Sequence, residues 1–420
     1  MPERTRRDIR LPNVPNKAHA VIGVRRGGKT SFLQRCMADR IDDGEPPDAH
    51  LLLSLEDERL VGMSAEDLGW LLEEYRRLTP TIPRGQRTIY LDEIQSIDGW
   101  ATLVRRLLDE GEFRVFVSGS SAKLLSREIH TALRGRSMET LVHPFSFREA
   151  LRHRGEEPTH PWHALAPQER INLDAALRRY LDFGGFPEAQ TVEGIDRIPL
   201  LKGYVDVMLL RDVIERHGVS NTDALRRLQR ALLTNPAGRF AMSKFYNDLK
   251  SQGGQASKDA LYAYLAHLED AFLVRLVSMH TTSERQRNVN PRKVYPIDTG
   301  FIRVYQRGGQ QNRGRSLETA ILLELERRGA TAGWVRVGND LEVDFCVERF
   351  DRAPLLIQVS LDTALPETFE REITALAAAA SEYPDAQPVL ITLDPAPPSR
   401  ILPAGITWRP ATDWLLDPTA

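Results

Sequence analysis

The run Gly23-Val24-Arg25-Arg26-Gly27-Gly28-Lys29-Thr30 constrains this chain more than any other feature. It satisfies G-x-x-x-x-G-K-[ST] at every fixed position. Its flanks also fit, since Ala18–Ile22 reads as a short strand and Ser31–Arg35 opens a helix. Backbone N–H groups of such a glycine loop wrap a triphosphate, helped by the positive end of the following helix. Gly23, Val24, Arg25, Arg26, Gly27, Gly28, Lys29, Thr30 and Ser31 are therefore the expected nucleotide-binding residues. Lys29 is expected to neutralise the β- and γ-phosphates and Thr30 to ligate Mg²⁺, so ATP and Mg²⁺ are the expected ligands.

Four strand-like runs, His19–Ile22, His50–Leu55, Thr88–Leu91 and Arg114–Ser118, alternate with helical stretches such as Ala65–Leu78 and Trp100–Asp109. Alternation of this kind implies a parallel sheet covered on both faces. The third strand delivers Asp92 and Glu93 at its carboxyl end. Asp92 is expected in the Mg²⁺ shell, and Glu93 is expected to polarise the attacking water. The fourth strand ends in Ser118-Gly119-Ser120-Ser121. There Ser118 or Ser120 contacts the γ-phosphate or the water, or else Ser120 or Ser121 caps a helix. In Leu133-Arg134-Gly135-Arg136, either arginine is a candidate finger reaching a neighbouring subunit's nucleotide. Contact with the chain's own nucleotide and a plain surface charge are the alternatives.

Composition narrows the partners. With 420 residues, two to four domains are expected. A net charge of −2 excludes a polycation, so any nucleic-acid contact must come from local patches. The two cysteines, Cys36 and Cys346, define no disulfide framework or zinc spacing, and a reducing cytoplasm is the natural setting. The first residues have no apolar core behind them, and no run approaches the roughly 18 apolar residues of a membrane span. Neither a signal peptide nor a membrane partner is expected.

Farther along, helices are expected at Asn172–Leu181 and Leu200–Glu215, with a break at Gly184-Gly185-Phe186-Pro187. Arg211 is either a nucleotide sensor or part of a structural ion pair. Residues 222–300 read as helices Thr222–Leu233, Ser243–Ser251 and Ser257–Ala271, then strands Val274–His280 and Lys293–Ile297. The intervening segment carries Arg285, Arg287 and Arg292, with Lys293 beside it. Three helices and a basic β-wing make a winged-helix shape, with these four residues as candidate DNA contacts. Base-specific reading is disfavoured, because the third helix exposes Asp259, Glu269 and Asp270 beside a single Lys258.

In the last 120 residues, helix Arg315–Arg328 places Glu318 on the face of Ile321, Leu322 and Leu325. An acid in an apolar stripe needs a partner or a cation. Strands follow at Trp334–Val337, Glu342–Val347, Leu355–Leu361, Gln387–Leu393 and Ile406–Trp408, with an alanine-rich helix around Ala375–Ala380. Alternation puts Val343, Phe345 and Val347 on one face of their strand, with Glu342, Asp344 and Cys346 on the other. One face can gather Glu318, Asp344 and Gln358. That set resembles the PD-(D/E)XK nuclease arrangement, in which acids and a Glu or Gln hold Mg²⁺ and a lysine two residues on helps activate water. Here the lysine position holds Ser360.

Taken together, the phosphate loop, Tyr90–Gln95, Ser118–Ser121, Leu133–Arg136, Pro144–Glu149, Gly184–Glu188, Leu210–Val213, Tyr295–Gly300, Glu342–Phe345 and Ile357–Ser360 resemble AAA+-type ATPases of bacteria and archaea that carry a C-terminal domain of unknown function. The resemblance implies an α/β fold with a P-loop parallel-sheet core over 1–150, a helical lid over 151–220, a winged helix over 221–300 and a nuclease-like α/β domain over 301–420. The expected function is an ATP-hydrolysing protein whose nucleotide state is coupled to DNA or a protein client, with a homo-oligomer as one option. An ATP-regulated, Mg²⁺-dependent nuclease and a non-catalytic ATP-bound protein are the alternatives.

Overall fold

The computed structural model describes residues 5–418 except 13, 121–132, 134, 193, 282, 306–309, 339–340 and 351, and describes only the backbone of 288, 289 and 310–312. The chain divides into two compact units, Met1–Pro144 with Asp270–Phe272, and Phe145–Glu269 with Leu273–Ala420.

The first unit is built on strands β1 (Ala18–Ile22), β2 (His50–Ser54), β3 (Arg87–Asp92), β4 (Phe113–Gly119) and β5 (Ser137–Leu141), in the order β2-β3-β4-β1-β5. Every pairing is parallel. Helices α1 (Lys29–Asp42), α2 (Ala65–Leu78) and α3 (Trp100–Glu110) complete the layers. Helix α2 begins where Ser64 and Asp67 form a capping box, each side chain accepting from the other's backbone N–H. Helix α3 buries Trp100, Leu103, Val104, Leu107 and Leu108, the face that a 3.6-residue period collects. Strand β5 escaped the sequence reading because Ser137, Glu139 and Thr140 dilute its apolar alternation.

In the second unit, α4 (Phe147–Arg154) and α5 (Pro167–Phe183) precede α6 (Arg197–Val207), which runs on into a π-helix at Met208–Glu215. Next come α7 (Thr222–Leu233), β6 (Gly238–Phe240), α8 (Met242–Ser251), α9 (Lys258–Asp270), β7 (Val274–Val277), α10 (Glu284–Val289) and β8 (Arg292–Pro296). Strands β6, β8 and β7 form an antiparallel sheet in that order. The connection expected as an open basic wing is therefore partly helical, and Arg285 and Arg287 ride on α10.

Helices α11 (Thr299–Tyr305) and α12 (Gln310–Arg327) lead into β9 (Thr331–Val337), β10 (Leu341–Arg349) and β11 (Arg352–Ser360). Helix α13 (Pro366–Glu382), β12 (Gln387–Thr392), β13 (Thr407–Pro410) and α14 (Ala411–Leu416) follow. The sheet order is β13-β12-β11-β10-β9, antiparallel across β9, β10 and β11 and parallel across β11, β12 and β13. Its two faces bury different cores. Phe345, Val347, Leu355 and Ile357 pack with Leu317, Ile321 and Leu325 of α12. Val343, Cys346 and Leu356 pack with Phe369, Ile373 and Leu376 of α13. Val343 and Phe345 thus face opposite cores, against strict alternation. The cause is an irregularity in the β9–β10 register between Val343 and Cys346, which turns the strand over at Asp344.

Candidate functional site

The phosphate loop leaves the carboxyl end of β1 and turns into α1. Gly28 adopts φ +97° as the helix N-cap, a conformation that only glycine takes cheaply. A Cβ on Gly27 would lie 2.9 Å from Val24 Cγ1, and one on Gly23 would lie 2.2 Å from the Val142 carbonyl oxygen. The loop is consequently a bare-backbone cradle, and its glycines are steric requirements. Arg7 braces it from outside. One guanidinium nitrogen donates to Gly27 O at 3.2 Å and the other to His143 O at 2.5 Å. Arg7 belongs to no motif, so nothing in the sequence pointed to it.

Inside the cradle Lys29 is 4% exposed. Its ammonium donates to Gly23 O at 3.2 Å and Val24 O at 3.3 Å, and lies 3.5 Å from Glu93 Oε1. Thr30 donates from Oγ1 to Asp92 Oδ2 at 2.6 Å. Ser118 donates to the other Asp92 oxygen and accepts from Glu93 N at 3.0 Å. Ser118 is fully buried, and its hydroxyl positions the acidic pair from behind. Glu93 itself takes φ +55°, left-handed backbone for a non-glycine residue. Gln95 Nε2 donates to its carboxylate at 2.5 Å. Burial works to raise the Glu93 carboxyl, but Lys29, Gln95 and Arg25 outweigh it and hold the group below the usual carboxylate range.

The converging Thr30 and Asp92 oxygens are hard donors of the kind Mg²⁺ selects. A site with so few protein ligands suits an ion that keeps waters and phosphate oxygens. Residues and group therefore fit.

The remaining predicted residues are more scattered. Arg25 lies 3.5 Å from Glu56, and Arg26 takes φ +63° within the loop. Ser31 follows Thr30 on α1. Ser120 is buried just past β4. Arg134 lies outside the described residues. Arg136 is exposed and paired with Asp109. It precedes β5 at the amino end of the sheet, where Ala18 aligns with Ser137. The loop leaves the opposite end of β1, about 16 Å away along five residues. Contact between Arg136 and its own chain's nucleotide is thereby corrected. Arg211 pairs with Glu215 at 3.2 Å along the π-helix, the structural alternative.

A second polar centre lies in the second unit. It overturns the placement of Lys293, which is 2% exposed and leaves the set of candidate DNA contacts. Its ammonium donates to Glu318 Oε1 at 2.9 Å and Asp344 Oδ1 at 3.0 Å and pairs with Glu342 Oε1 at 2.7 Å. Burial opposes that charge, but Glu318, Tyr295, Asp344 and Glu342 raise it well above the usual lysine range. Burial and the neighbouring Asp344 push Glu318 upward, with Lys293 opposing them. The structure thus brings Glu318 and Asp344 together around a lysine that the sequence reading assigned elsewhere. Gln358 borders the centre at Asp344: its Oε1 accepts from Asp344 N at 3.4 Å, and its Nε2 donates to Glu372. Ser360 donates to Asp362 O at 2.9 Å. Strand periodicity, which pairs Lys293 with Tyr295 on one face of β8, was the one available signal. The adjacent Arg292 is exposed and made the region read as surface.

A parallel β2-β3-β4-β1-β5 sheet with a glycine cradle, a lysine and an Asp-Glu pair at its carboxyl edge defines a P-loop domain of the AAA type. Residues 15–151 match the AAA domain family, and residues 174–311 match a domain of unknown function, DUF8612. The chain belongs to the family of Uncharacterized protein MJ1544 of Methanocaldococcus jannaschii, with which it is 35% identical over 375 residues, 88% of this chain and 80% of that protein. An uncharacterized protein of Haemophilus influenzae is 29% identical over 354 residues, 83% of this chain and 82% of its own. Among solved structures, the Walker-type ATPase PABY2304 of Pyrococcus abyssi is similar at 16% identity and a TM-score of 0.44, covering 69% of this chain and 90% of that one. Strands β9–β13 lie beyond both family matches. No helix among the described residues is long and apolar enough to cross a membrane.

Proposed function

We propose that the first unit binds ATP with Mg²⁺ and hydrolyses it. The observation that carries this reading is the convergence of Lys29, Thr30, Asp92 and Glu93 on one glycine cradle. Thr30 and Asp92 would hold the ion, which when bound neutralises the phosphate oxygens and orients them. Lys29 is stabilised by two carbonyls and by Glu93 at 3.5 Å. A triphosphate is a stronger anion, and transfer of the ammonium to it frees the Glu93 carboxylate to take a proton from water. Gln95 and the backbone at Glu93 keep that carboxylate aimed, and Ser118 keeps Asp92 in place.

The energy released would act on DNA or a protein client. The DNA half of the proposal rests on the exposed Arg285, Arg287 and Arg292 and on an order of three helices and a three-stranded sheet that suits a winged helix. Arg287 also pairs with Glu284 at 3.1 Å, which weakens its claim.

Calorimetry and phosphate release, with and without duplex DNA, test the reading. Lys29→Ala should abolish tight ATP binding. Glu93→Gln should keep binding while turnover falls by about 10²–10⁴. Equal turnover in Glu93→Gln and the native chain would reject the assignment of Glu93. Binding without phosphate release in the native chain would instead favour a non-catalytic ATP-bound protein.

A further inference from the structure

ATP hydrolysis at the phosphate loop leaves Lys293 and its carboxylates without a role. An ammonium has three N–H donors. Lys293 donates to Glu318 and Asp344 at 2.9 and 3.0 Å and pairs with Glu342 at 2.7 Å, with its side chain 3% exposed. These are the separations of charge-assisted N–H···O bonds. Magnesium and calcium hold oxygens closer, at about 2.0–2.6 Å.

The acids are also held from their other sides. Val359 N donates to Asp344 Oδ2 at 3.0 Å, Arg239 Nε donates to Glu342 Oε2 at 2.6 Å, and Tyr295 donates its hydroxyl to Glu318 at 2.7 Å. Two cations, Lys293 and Arg239, therefore face three carboxylates, and the ring is fixed at ammonium spacing. Among the described residues, no group of three His, Cys, Asp or Glu side chains is set to hold a metal ion.

The cation and the acids come from separate elements. Lys293 and Tyr295 project from β8 of the small antiparallel sheet. Glu318 lies on α12, and Glu342 and Asp344 lie on β10 of the C-terminal sheet. A metal at this position would have to displace an ammonium that is tethered in place by the strand pairing of β8.

We propose that Lys293 is the resident cation of the Glu318–Glu342–Asp344 centre. It closes that centre to divalent metal, and so to metal-assisted cleavage of phosphodiesters, and it clasps β8 to α12 and β10. The chain keeps a nuclease-like acidic frame whose cation is supplied by its own sequence.

Manganese binding to the full-length chain without nucleotide tests this, read by electron paramagnetic resonance. The native protein should hold no stoichiometric Mn²⁺ that Asp344→Asn removes. Lys293→Met removes the cation shared by the three carboxylates, leaving Arg239 on Glu342 alone, and should lower the melting temperature by several degrees. Millimolar Mn²⁺ should raise the melting temperature of Lys293→Met, leaving the native protein and the Lys293→Met/Asp344→Asn double variant unmoved. Lys293→Arg, which keeps the charge, should stay indifferent to the metal. A native chain that takes up one Mn²⁺ lost in Asp344→Asn would overturn the proposal, because metal and ammonium would then share the centre. Folded Lys293→Met that gains nothing from Mn²⁺ would overturn it too. Should Lys293→Met fail to fold, the native protein against Asp344→Asn decides alone.

Discussion

At the level of single residues, the phosphate loop was legible because its chemistry is local. Gly23, Gly27, Gly28, Lys29 and Thr30 act through backbone conformation and spacing that eight consecutive letters encode. Asp92 and Glu93 were legible because they end an apolar strand. Lys293 was not, because its partners lie on α12 and β10, and its one local mark, a strand face shared with Tyr295, is masked by the exposed Arg292 beside it. Ser118 falls between these cases. Its position at a strand end was visible, but its hydrogen bonds to Asp92 and Glu93 were not. Ser118→Ala removes a donor to Asp92 and the acceptor of Glu93 N without removing either carboxylate. Loss of such a supporting hydrogen bond typically weakens metal affinity by about 10–100-fold. The Mg²⁺ concentration giving half-maximal ATP turnover should rise by that factor, with turnover at saturating Mg²⁺ falling less. An unchanged Mg²⁺ dependence would remove Ser118 from this role.

At the level of elements, helices such as Ala65–Leu78 and Thr222–Leu233 were read with their observed boundaries, since caps and apolar periods mark both. Strand β5 and the turn-over at Asp344 were missed because each depends on pairing that a period of two cannot express. The join of α5 to α6 has a similar hidden cause. Gly184 and Gly185 meet Asp298, which is buried ahead of α11. Its carboxylate accepts from Gly185 N at 2.7 Å and Gly300 N at 2.9 Å, and a Cβ on Gly185 would lie 2.1 Å from Phe145 O. Burial pushes Asp298 up to about 7, with the two glycine N–H groups and Arg327 opposing. The unfolded group titrates near 3.9. A folded value above the unfolded one means the folded state holds the proton more tightly. That contribution is complete below about pH 4, is lost as pH rises through about 7, and is absent above. Its ceiling is on the order of 4 kcal/mol. Asp298→Asn abolishes the titration and leaves one glycine N–H poorly matched. Denaturant midpoints of the variant should start lower at pH 4.5 and fall less than native ones up to pH 7.5. Parallel pH profiles would mean that Asp298 is already ionised at the lower pH.

At the level of the whole molecule, one charge raises the question of a second copy. Arg136 stands at the amino end of the sheet, paired with Asp109 beside a surface cleft of about 510 Å³ lined also by Thr102, Arg105, Arg106 and Glu110. The phosphate loop of the same chain leaves the opposite end of β1. An exposed arginine there either does nothing for hydrolysis or serves a neighbour's nucleotide, and the two cases separate cleanly. As a finger in trans, Arg136→Ala should lower turnover by about 10³ or more while leaving ATP binding intact. Lys29→Ala should be inactive for want of binding, yet it still carries Arg136. Mixing the two inactive variants should restore part of the native phosphate release, because the Lys29→Ala subunit lends its arginine to the intact loop of the Arg136→Ala subunit. The recovered activity should rise with total protein concentration, as assembly requires. A surface arginine gives a different pattern: Arg136→Ala turns over at the native rate, and adding Lys29→Ala changes nothing.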